Sequence, residues 1–203
     1  LSAVLFRISP LSLLWLWPAL ALATVCLAYL RTGVAIFQKD RNGAVSLPSF
    51  WLLMPYRWGA RINAWLWTRK LAPCVHIADN VHLGRFPIES EINDFHTAID
   101  LTGEMLRPNG TKAGWHSFPV LDLTDAPNQT LNDAAQAIQM TQQNGKVLVF
   151  CALGMQRSAA AVGLWLVQSG RAQNAEEAIR LIEAKGRPVH LDAAIIDTAG
   201  RSQ

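Results

Sequence analysis

The residues with the clearest chemical potential lie between positions 151 and 158, in the order Cys, five residues, Arg, Ser. Cys151 carries a thiol, which becomes a strong nucleophile once it is deprotonated. Arg157 carries a planar guanidinium that can bind two oxygens of one phosphate group. Ser158 follows directly and is placed to donate a hydrogen bond to the sulfur when the sulfur must leave. This set of groups indicates nucleophilic chemistry on a bound phosphate.

The surrounding sequence predicts that these residues form an anion-binding loop. The apolar run at residues 146–150 is typical of a buried central strand, and residues 158–169 predict a helix. Backbone N–H groups of a tight loop that runs into a helix N-terminus converge on one point, where they bind an oxyanion and lower the thiol pKa of Cys151. Gly154 permits the unusual backbone of such a turn. The residues expected to contact the phosphate are Ala152, Leu153, Gly154, Met155, Gln156 and Arg157.

Each of these residues also has a purely structural interpretation. A free cysteine is usually inert and buried, and Arg157 could be a surface arginine. The strand, the spacing and the helix occur together here, which favours the functional interpretation. Cys74, His76 and His82 resemble metal ligands, but strand alternation explains them and a fourth ligand is not evident. We therefore expect neither a metal nor another cofactor.

Short strands alternate with amphipathic helices from residue 71 onward, and this pattern predicts an α/β fold around a buried sheet. The predicted strands are 75–77 and 81–83, which form a hairpin, followed by 97–101, 115–121 and 146–150; the predicted helices are 89–95, 131–142, 158–169, 175–184 and 190–198.

The loop resembles the signature loop of the cysteine-based protein phosphatases, in which Cys, five residues, Arg and Ser or Thr follow one another around an internal Gly. In the dual-specificity branch, a general-acid Asp lies upstream on a loop after a strand. Asp122 lies 29 residues before Cys151 and is followed by one predicted helix and one predicted strand, as in that branch. The resemblance covers about residues 72–198 and implies a dual-specificity-phosphatase-like sheet flanked by helices.

The resemblance implies that Cys151 attacks phosphorus, that Asp122 protonates the leaving oxygen, and that Arg157 holds the phosphate. Asp125 competes with Asp122; we favour Asp122 because it directly follows the apolar strand and would be held more firmly. The family usually has His before the Cys, where this chain has Phe150. That His helps to lower the thiol pKa, so we expect weaker activation. Phosphoinositide phosphatases of this superfamily often carry Lys at the variable loop positions, which are uncharged here, so the resemblance implies a substrate with one phosphate.

The N-terminal third differs sharply in charge from the rest of the chain. Residues 1–70 carry eight Lys/Arg, one acid and six tryptophans, whereas residues 71–203 carry ten Lys/Arg and fourteen acids. Residues 8–30 contain no Asp, Glu, Lys, Arg or His, and a helix of that length spans a bilayer core. A signal peptide or a buried helix is the alternative, but the run is long and lacks a cleavage pattern. We predict a membrane segment at 1–70 and a phosphatase domain at 71–203.

A second apolar stretch, residues 47–70, has its large side chains at spacings of three and four with arginines beside them. This pattern predicts an amphipathic helix in the lipid headgroup layer; the alternative is a helix packed on the soluble domain. Cations after residue 30 outnumber Arg7 before it, so the positive-inside rule places the downstream chain in the cytoplasm. The residues of the stripe are Trp51, Met54, Trp58, Ile62 and Leu66, with Arg57, Arg61 and Arg69 beside it.

Together these observations predict a phosphomonoester hydrolase that acts through a phosphocysteine on a phosphorylated protein or lipid. With its membrane segment, the chain also resembles bacterial inner-membrane proteins in which a dual-specificity-type phosphatase domain follows a transmembrane lipid-phosphatase-like (PAP2) domain. On this resemblance, the PAP2 domain would be missing here. We expect no nucleic-acid partner, because the positive charge lies among tryptophans and apolar runs. The alternative function is a membrane-tethered pseudophosphatase that binds phosphorylated ligands without turnover, as Phe150 suggests.

Overall fold

Five strands form one sheet, in which four neighbouring strands are parallel. The computed structural model describes residues 14–201. The strands are β1 Cys74–Ala78, β2 Val81–Gly84, β3 Thr97–Thr102, β4 Gly114–Val120 and β5 Val147–Phe150. Their spatial order is β1, β2, β5, β3, β4, with β1 antiparallel to β2 and the others parallel. The predicted α/β fold is confirmed, and each predicted strand is found within about two residues of its expected position.

Helices cover both faces of this sheet. Numbered along the chain, they are α1 Leu16–Leu27, α2 Leu47–Leu52, α3 Met54–Thr68, α4 Glu89–Ile92, α5 Asn128–Thr141, α6 Arg157–Gln168, α7 Ala175–Ala184 and α8 Ala193–Gly200. Helices α5 to α8 pack on one face, with α6 at their centre. Small residues, Ala159 to Ala161, let α6 approach the strands closely, and Gly170 with φ +72° stands where the helix ends. This helix begins directly after the predicted loop, and so it fixes the loop's end.

The opposite face is covered by aromatic side chains and by α3. Phe150 of β5 is fully buried and lies edge-on to Phe86 and Trp115, with ring centroids 5.4 Å away in both cases. Ala64 of α3 and Ala152 of the loop belong to the same apolar cluster. Helix α3, from the part of the chain predicted to be a membrane segment, and the Cys151 loop therefore share one apolar core.

The stretch 47–70, expected to be one helix, forms two. Helix α2 ends at Leu52, and the next residue, Leu53, has φ −95° and ψ 5°. Helix α3 then begins with Pro55 in its first turn. Proline has no N–H to continue the helical ladder and its ring excludes the preceding turn, so the chain restarts there. Arg57 is also not a headgroup cation: it is buried and donates to the Ser49 carbonyl at 3.2 Å. Burial lowers the pKa of Arg57 to about 10.

Among the described residues, one helical stretch, Leu16–Phe37, is long and apolar enough to cross a membrane. It starts with α1 and continues through a π-helical turn, Ala28–Thr32, and a 3₁₀ turn, Gly33–Phe37. It therefore extends beyond the predicted end at residue 30, whereas positions 8–13 of the predicted span lie outside the described residues. Length and composition support membrane attachment of this part of the chain.

The segment after this helix is fastened to the sheet by a buried ion pair. Lys39 contacts the carboxylate of Asp100 on β3, and both side chains are fully buried. The Lys39 ammonium also donates to the Thr102 carbonyl at 2.8 Å, and the Thr102 amide donates to Asp100 at 2.8 Å. Both charges of this cluster thus have partners, and the contact joins residues before position 70 to the sheet.

Replacement of Lys39 tests this attachment. We expect Lys39→Met to lower the free energy of unfolding by about 3–5 kcal/mol, because it leaves the Asp100 carboxylate buried without its cation. Urea unfolding of the full chain in detergent, followed by tryptophan fluorescence, measures the change. Lys70→Met removes an exposed cation and is the matched control; equal stability of the two variants would contradict the assignment.

Candidate active site

The sheet topology brings three functional positions to one edge. Parallel strands β3, β5 and β4 lie side by side, so their carboxyl ends meet, and this is where open α/β sheets bind ligands. Cys151 follows β5 directly, Asp122 comes two positions after the end of β4, and Glu104 two positions after the end of β3. Side chains that are far apart in sequence therefore converge at the start of α6.

Cys151 lies at the floor of the loop with its sulfur surrounded by donors. The Gly154 amide lies 3.1 Å from Sγ and the Ser158 hydroxyl donates to it at 3.2 Å. Burial by itself would raise the pKa of the thiol, but the Arg157 guanidinium, the Ser158 hydroxyl and the backbone amides together hold that pKa below the ordinary thiol value. The thiolate of Cys151 is therefore favoured relative to that of an ordinary cysteine.

The loop backbone is held open by Gly154 and Arg187. Gly154 has φ +76°, and a Cβ on it would lie 2.3 Å from the Gly84 carbonyl oxygen, so no larger residue fits without a shift. Arg187, buried at 1% exposure, donates through Nε to the Gly154 carbonyl at 3.1 Å and through Nη2 to the Leu153 carbonyl. Because these two carbonyls bond to Arg187, the amides of the loop can face an anion.

The remaining loop residues also lie in this turn. Ala152 and Met155 are buried, whereas Leu153 and Gln156 are half-buried. The Met155 carbonyl accepts from the His190 amide at 2.9 Å, and Gln156 is the N-cap of α6. None of these side chains carries a charge, so the backbone amides and Arg157 are the groups of the loop that an anion could contact.

Arg157 is buried and is fixed by a fork of hydrogen bonds. Its Nη1 and Nη2 donate to the two carboxylate oxygens of Glu104 at 3.0 and 2.8 Å, and Nη1 also donates to the Val120 carbonyl at 3.0 Å. Burial alone would lower its pKa, but the carboxylate of Glu104 raises it well above the ordinary arginine value. The guanidinium is therefore a permanent cation held in a fixed plane, as bidentate phosphate binding requires.

Asp122 lies against the same guanidinium. Its Oδ1 is 2.8 Å from Arg157 Nη2, and its side chain is 40% exposed. Burial raises the pKa of Asp122, and Glu104 adds to the rise, against the lowering influence of Arg157. Asp125, the competing candidate, is exposed and faces a different cavity.

The apolar N-terminal segment takes part in positioning this acid. Leu121, next to Asp122, is buried with Ala28 and Leu53 in one small cluster. The Tyr29 hydroxyl donates to the Asp122 carbonyl at 3.0 Å from the same segment. The stretch whose composition indicates membrane attachment therefore contacts the loop that carries the acid.

A cavity of about 340 Å³ opens beside these groups, and we call it the α1–α3 cavity. One wall comes from the loop and the acids of the site, and the other comes from helices α1 and α3. Its lining residues are Pro18, Leu22, Pro55, Tyr56, Gly59, Ala60, Asn63, Ala64, Glu104, Asp122, Ala152 and Leu153.

The residues first considered as metal ligands serve the β1–β2 hairpin. The ring of His76 lies 2.6 Å from the Asp79 carbonyl, and that of His82 lies 3.2 Å from the Asn80 carbonyl. Across residues 14–201, no three His, Cys, Asp or Glu side chains are grouped as a metal site.

Comparison with known proteins identifies the class. Residues 81–193, more than half of the chain, match the family described as "Dual specificity phosphatase, catalytic domain". The chain belongs to this family and is a cysteine-dependent phosphatase. A search of curated proteins finds no match.

Solved structures share its fold. The active form of Tk-PTP superposes with a TM-score of 0.56 at 22% identity, covering 66% of this chain and 99% of that one. PTPMT1 in complex with PI(5)P gives 0.54 at 20% identity, covering 64% and 94%, respectively. A point variant of human DUSP28 gives 0.54 at 15% identity, covering 64% and 96%. The aligned share leaves a third of this chain outside the common fold.

Sequence reasoning missed three residues of the site. Glu104 follows a predicted strand on the same sheet edge as Asp122, and this position was a usable signal. Arg187, in a Gly-Arg-Pro turn, and Tyr29, in the apolar helix, gave no signal of their own. Both reach the site only through contacts distant in sequence.

The roles of the two aspartates are separable by mutation. We expect Asp122→Asn to lower kcat on an alkyl phosphate by about 100-fold or more, the usual contribution of a general acid. Because burial raises the pKa of Asp122, the acid stays protonated to higher pH than an ordinary carboxyl, and kcat/KM declines as pH rises through that pKa. Asp122→Asn should abolish this alkaline decline.

The matched control is Asp125→Asn, for which we expect a change of no more than about twofold, as for other exposed substitutions. Steady-state pH profiles of both variants make the comparison. An alkaline decline that persists in Asp122→Asn and vanishes in Asp125→Asn would reverse the assignment.

Proposed function

We propose that the chain hydrolyses phosphomonoesters through a phosphocysteine intermediate at a membrane surface. The observation that carries the proposal is the arrangement around Cys151, whose thiol pKa is held low beside a fixed guanidinium and a carboxyl group with a raised pKa. A nucleophile, an anion receptor and an acid close together are the parts that this reaction requires.

In the first step, the Cys151 thiolate attacks phosphorus and the bond to the leaving oxygen breaks. Asp122 gives its proton to that oxygen, so the product leaves as a neutral alcohol. Arg157 and the loop amides bind the equatorial oxygens, where negative charge is concentrated in the transition state.

In the second step, water attacks the phosphocysteine. The Asp122 carboxylate takes a proton from the water, and the P–S bond breaks to release inorganic phosphate. The sulfur leaves as a thiolate, which the Ser158 hydroxyl, 3.2 Å away, stabilises by a hydrogen bond. The enzyme thereby returns to its starting protonation state.

The proposed setting is the inner (plasma) membrane, with the phosphatase part facing the cytoplasm. The apolar stretch Leu16–Phe37 supports attachment, and the cations that follow it support this orientation by the positive-inside rule. A reducing compartment also suits a thiolate nucleophile. The division into a membrane segment at 1–70 and a phosphatase part at 71–203 remains part of this proposal, although contacts such as Lys39 with Asp100 cross it.

Phe150 is the specific observation in favour of the alternative, a pseudophosphatase. A buried phenyl ring gives no hydrogen bond to the loop, so the thiol must be activated by other groups. Arg157, Ser158 and the loop amides provide that activation in the present geometry. The presence of these groups favours catalytic turnover over binding alone.

Alkylation of the cysteines as a function of pH tests the proposal. We expect Cys151 to reach half-maximal alkylation below the ordinary thiol pKa of about 8.5, whereas burial raises the pKa of Cys74 and makes it react at higher pH. Phosphate or vanadate should protect Cys151 and leave Cys74 unprotected.

The matched variants are Cys151→Ser, which should abolish turnover of an aryl phosphate, and Cys74→Ser, which should retain it. A Cys151 thiol that titrates like a free thiol, together with no turnover by the unmodified chain, would support the pseudophosphatase. Turnover that survives in Cys151→Ser would overturn the phosphocysteine mechanism.

A further inference from the structure

We propose that the substrate is a lipid phosphomonoester whose first methylene groups occupy the α1–α3 cavity while its phosphate binds the Cys151 loop. This inference rests on the proposed function and names its substrate class. The inference rests on the position of the cavity. It lies beside Asp122 and the Cys151 loop, and its far wall is formed by α1 and α3, whose outer surfaces expose large apolar side chains.

The walls of the cavity differ in chemistry. On the loop side, Glu104 and Asp122 supply carboxylates close to Arg157. Of the lining residues on the helix side, only Tyr56 and Asn63 carry polar side chains. The cavity is therefore acidic next to the Cys151 loop and mostly apolar beyond it.

Helices α1 and α3 also expose apolar side chains on their outer surfaces. The two helices pack together, and the Trp17 indole donates to the Trp51 carbonyl of α2 at 3.0 Å. Burying such surfaces against acyl chains is favourable, and tryptophan prefers the membrane–water boundary. The exposed large side chains outside the cavity are Leu16, Trp17, Leu20 and Leu27 on α1 and Trp58, Ile62, Trp65, Leu66 and Trp67 on α3.

A phosphorylated peptide fits this cavity poorly. Each residue of an inserted peptide brings a backbone N–H and a C=O, and each needs a partner when it leaves water. The helix side offers two polar side chains, one of which, the Tyr56 hydroxyl, already bonds to Tyr29. An acylglycerol has few such groups, and its hydrocarbon gains free energy on burial.

The charge of the cavity limits the headgroup to one phosphate. Among the described lining residues there is no Lys or Arg, and the nearby cation Arg157 is committed to the catalytic phosphate. A second phosphate in the cavity would find no cation to balance its charge. The inferred substrate is thus a simple phosphomonoester on a lipid, such as a phosphatidate-type or phosphoglycerol-type lipid.

The test uses the full chain in phosphatidylcholine vesicles with four substrates. They are dioleoyl phosphatidate, glycerol 3-phosphate, a palmitoylated phosphotyrosine peptide and a soluble aryl phosphate. The palmitoylated peptide is confined to the same membrane, so it separates lipid recognition from simple tethering. We expect kcat/KM for phosphatidate to exceed that for glycerol 3-phosphate by about 100-fold, the factor that burial of a few methylene groups gives.

Gly59→Leu supplies the decisive variant. A Cβ at Gly59 meets no atom within 4 Å, so a leucine fits the helix and fills cavity space. Its ratio of kcat/KM for phosphatidate to that for aryl phosphate should fall at least about tenfold. Met140→Leu places a leucine at an exposed position of α5, away from the cavity and from α1 and α3, and should keep the ratio of the unmodified chain.

The outcomes are distinguishable. A chain that hydrolyses none of the four substrates overturns the proposed function itself. Aryl phosphate turnover with a preference for the palmitoylated peptide, or equal losses on all substrates in Gly59→Leu, overturns the lipid inference and leaves the phosphatase intact. Equal rates on phosphatidate and glycerol 3-phosphate would also overturn the inference.

Discussion

The buried guanidinium of Arg157 is the constraint on which the site depends. A cation at 2% exposure is stable only with full compensation, and Glu104 provides this through two parallel hydrogen bonds. The Val120 carbonyl adds a third contact, so the ends of β3 and β4 are fixed relative to the start of α6. The same contacts set the plane in which a phosphate can be bound. On the proposed mechanism, stability and substrate binding thus depend on one group.

The contact of Arg157 with Asp122 has a consequence for the order of events. The Asp122 carboxylate occupies one side of the guanidinium at 2.8 Å. On the proposed mechanism, an arriving phosphate competes for that side and brings negative charge next to Asp122. Both effects favour the protonated form of an acid whose pKa burial already raises. Substrate binding would therefore prepare the general acid for its step.

Local patterns in the sequence were sufficient to predict the strands, α6 and the residues of the loop, because they rest on periodicity and on the chemistry of neighbouring residues. The break at Leu53 could have been predicted from Pro55. The regular helical spacing of the apolar residues across 47–70 led to the prediction of one continuous helix instead. The burial of Arg57 and the roles of Glu104 and Arg187 depend on contacts between distant segments. No local pattern encodes such contacts, so only the folded arrangement reveals them.

Phe150 shows how a departure from the family pattern fits this fold. At this fully buried position its ring packs edge-on against Phe86 and Trp115, in a cluster that also holds Ala152 of the loop and Ala64 of α3. An imidazole here would need partners for two ring nitrogens among aromatic rings, and burial of unpaired polar groups is costly. The phenyl ring instead belongs to an apolar cluster that extends from the loop to α3. Thiol activation is left to the guanidinium, the hydroxyl and the backbone amides, groups that belong to the loop itself.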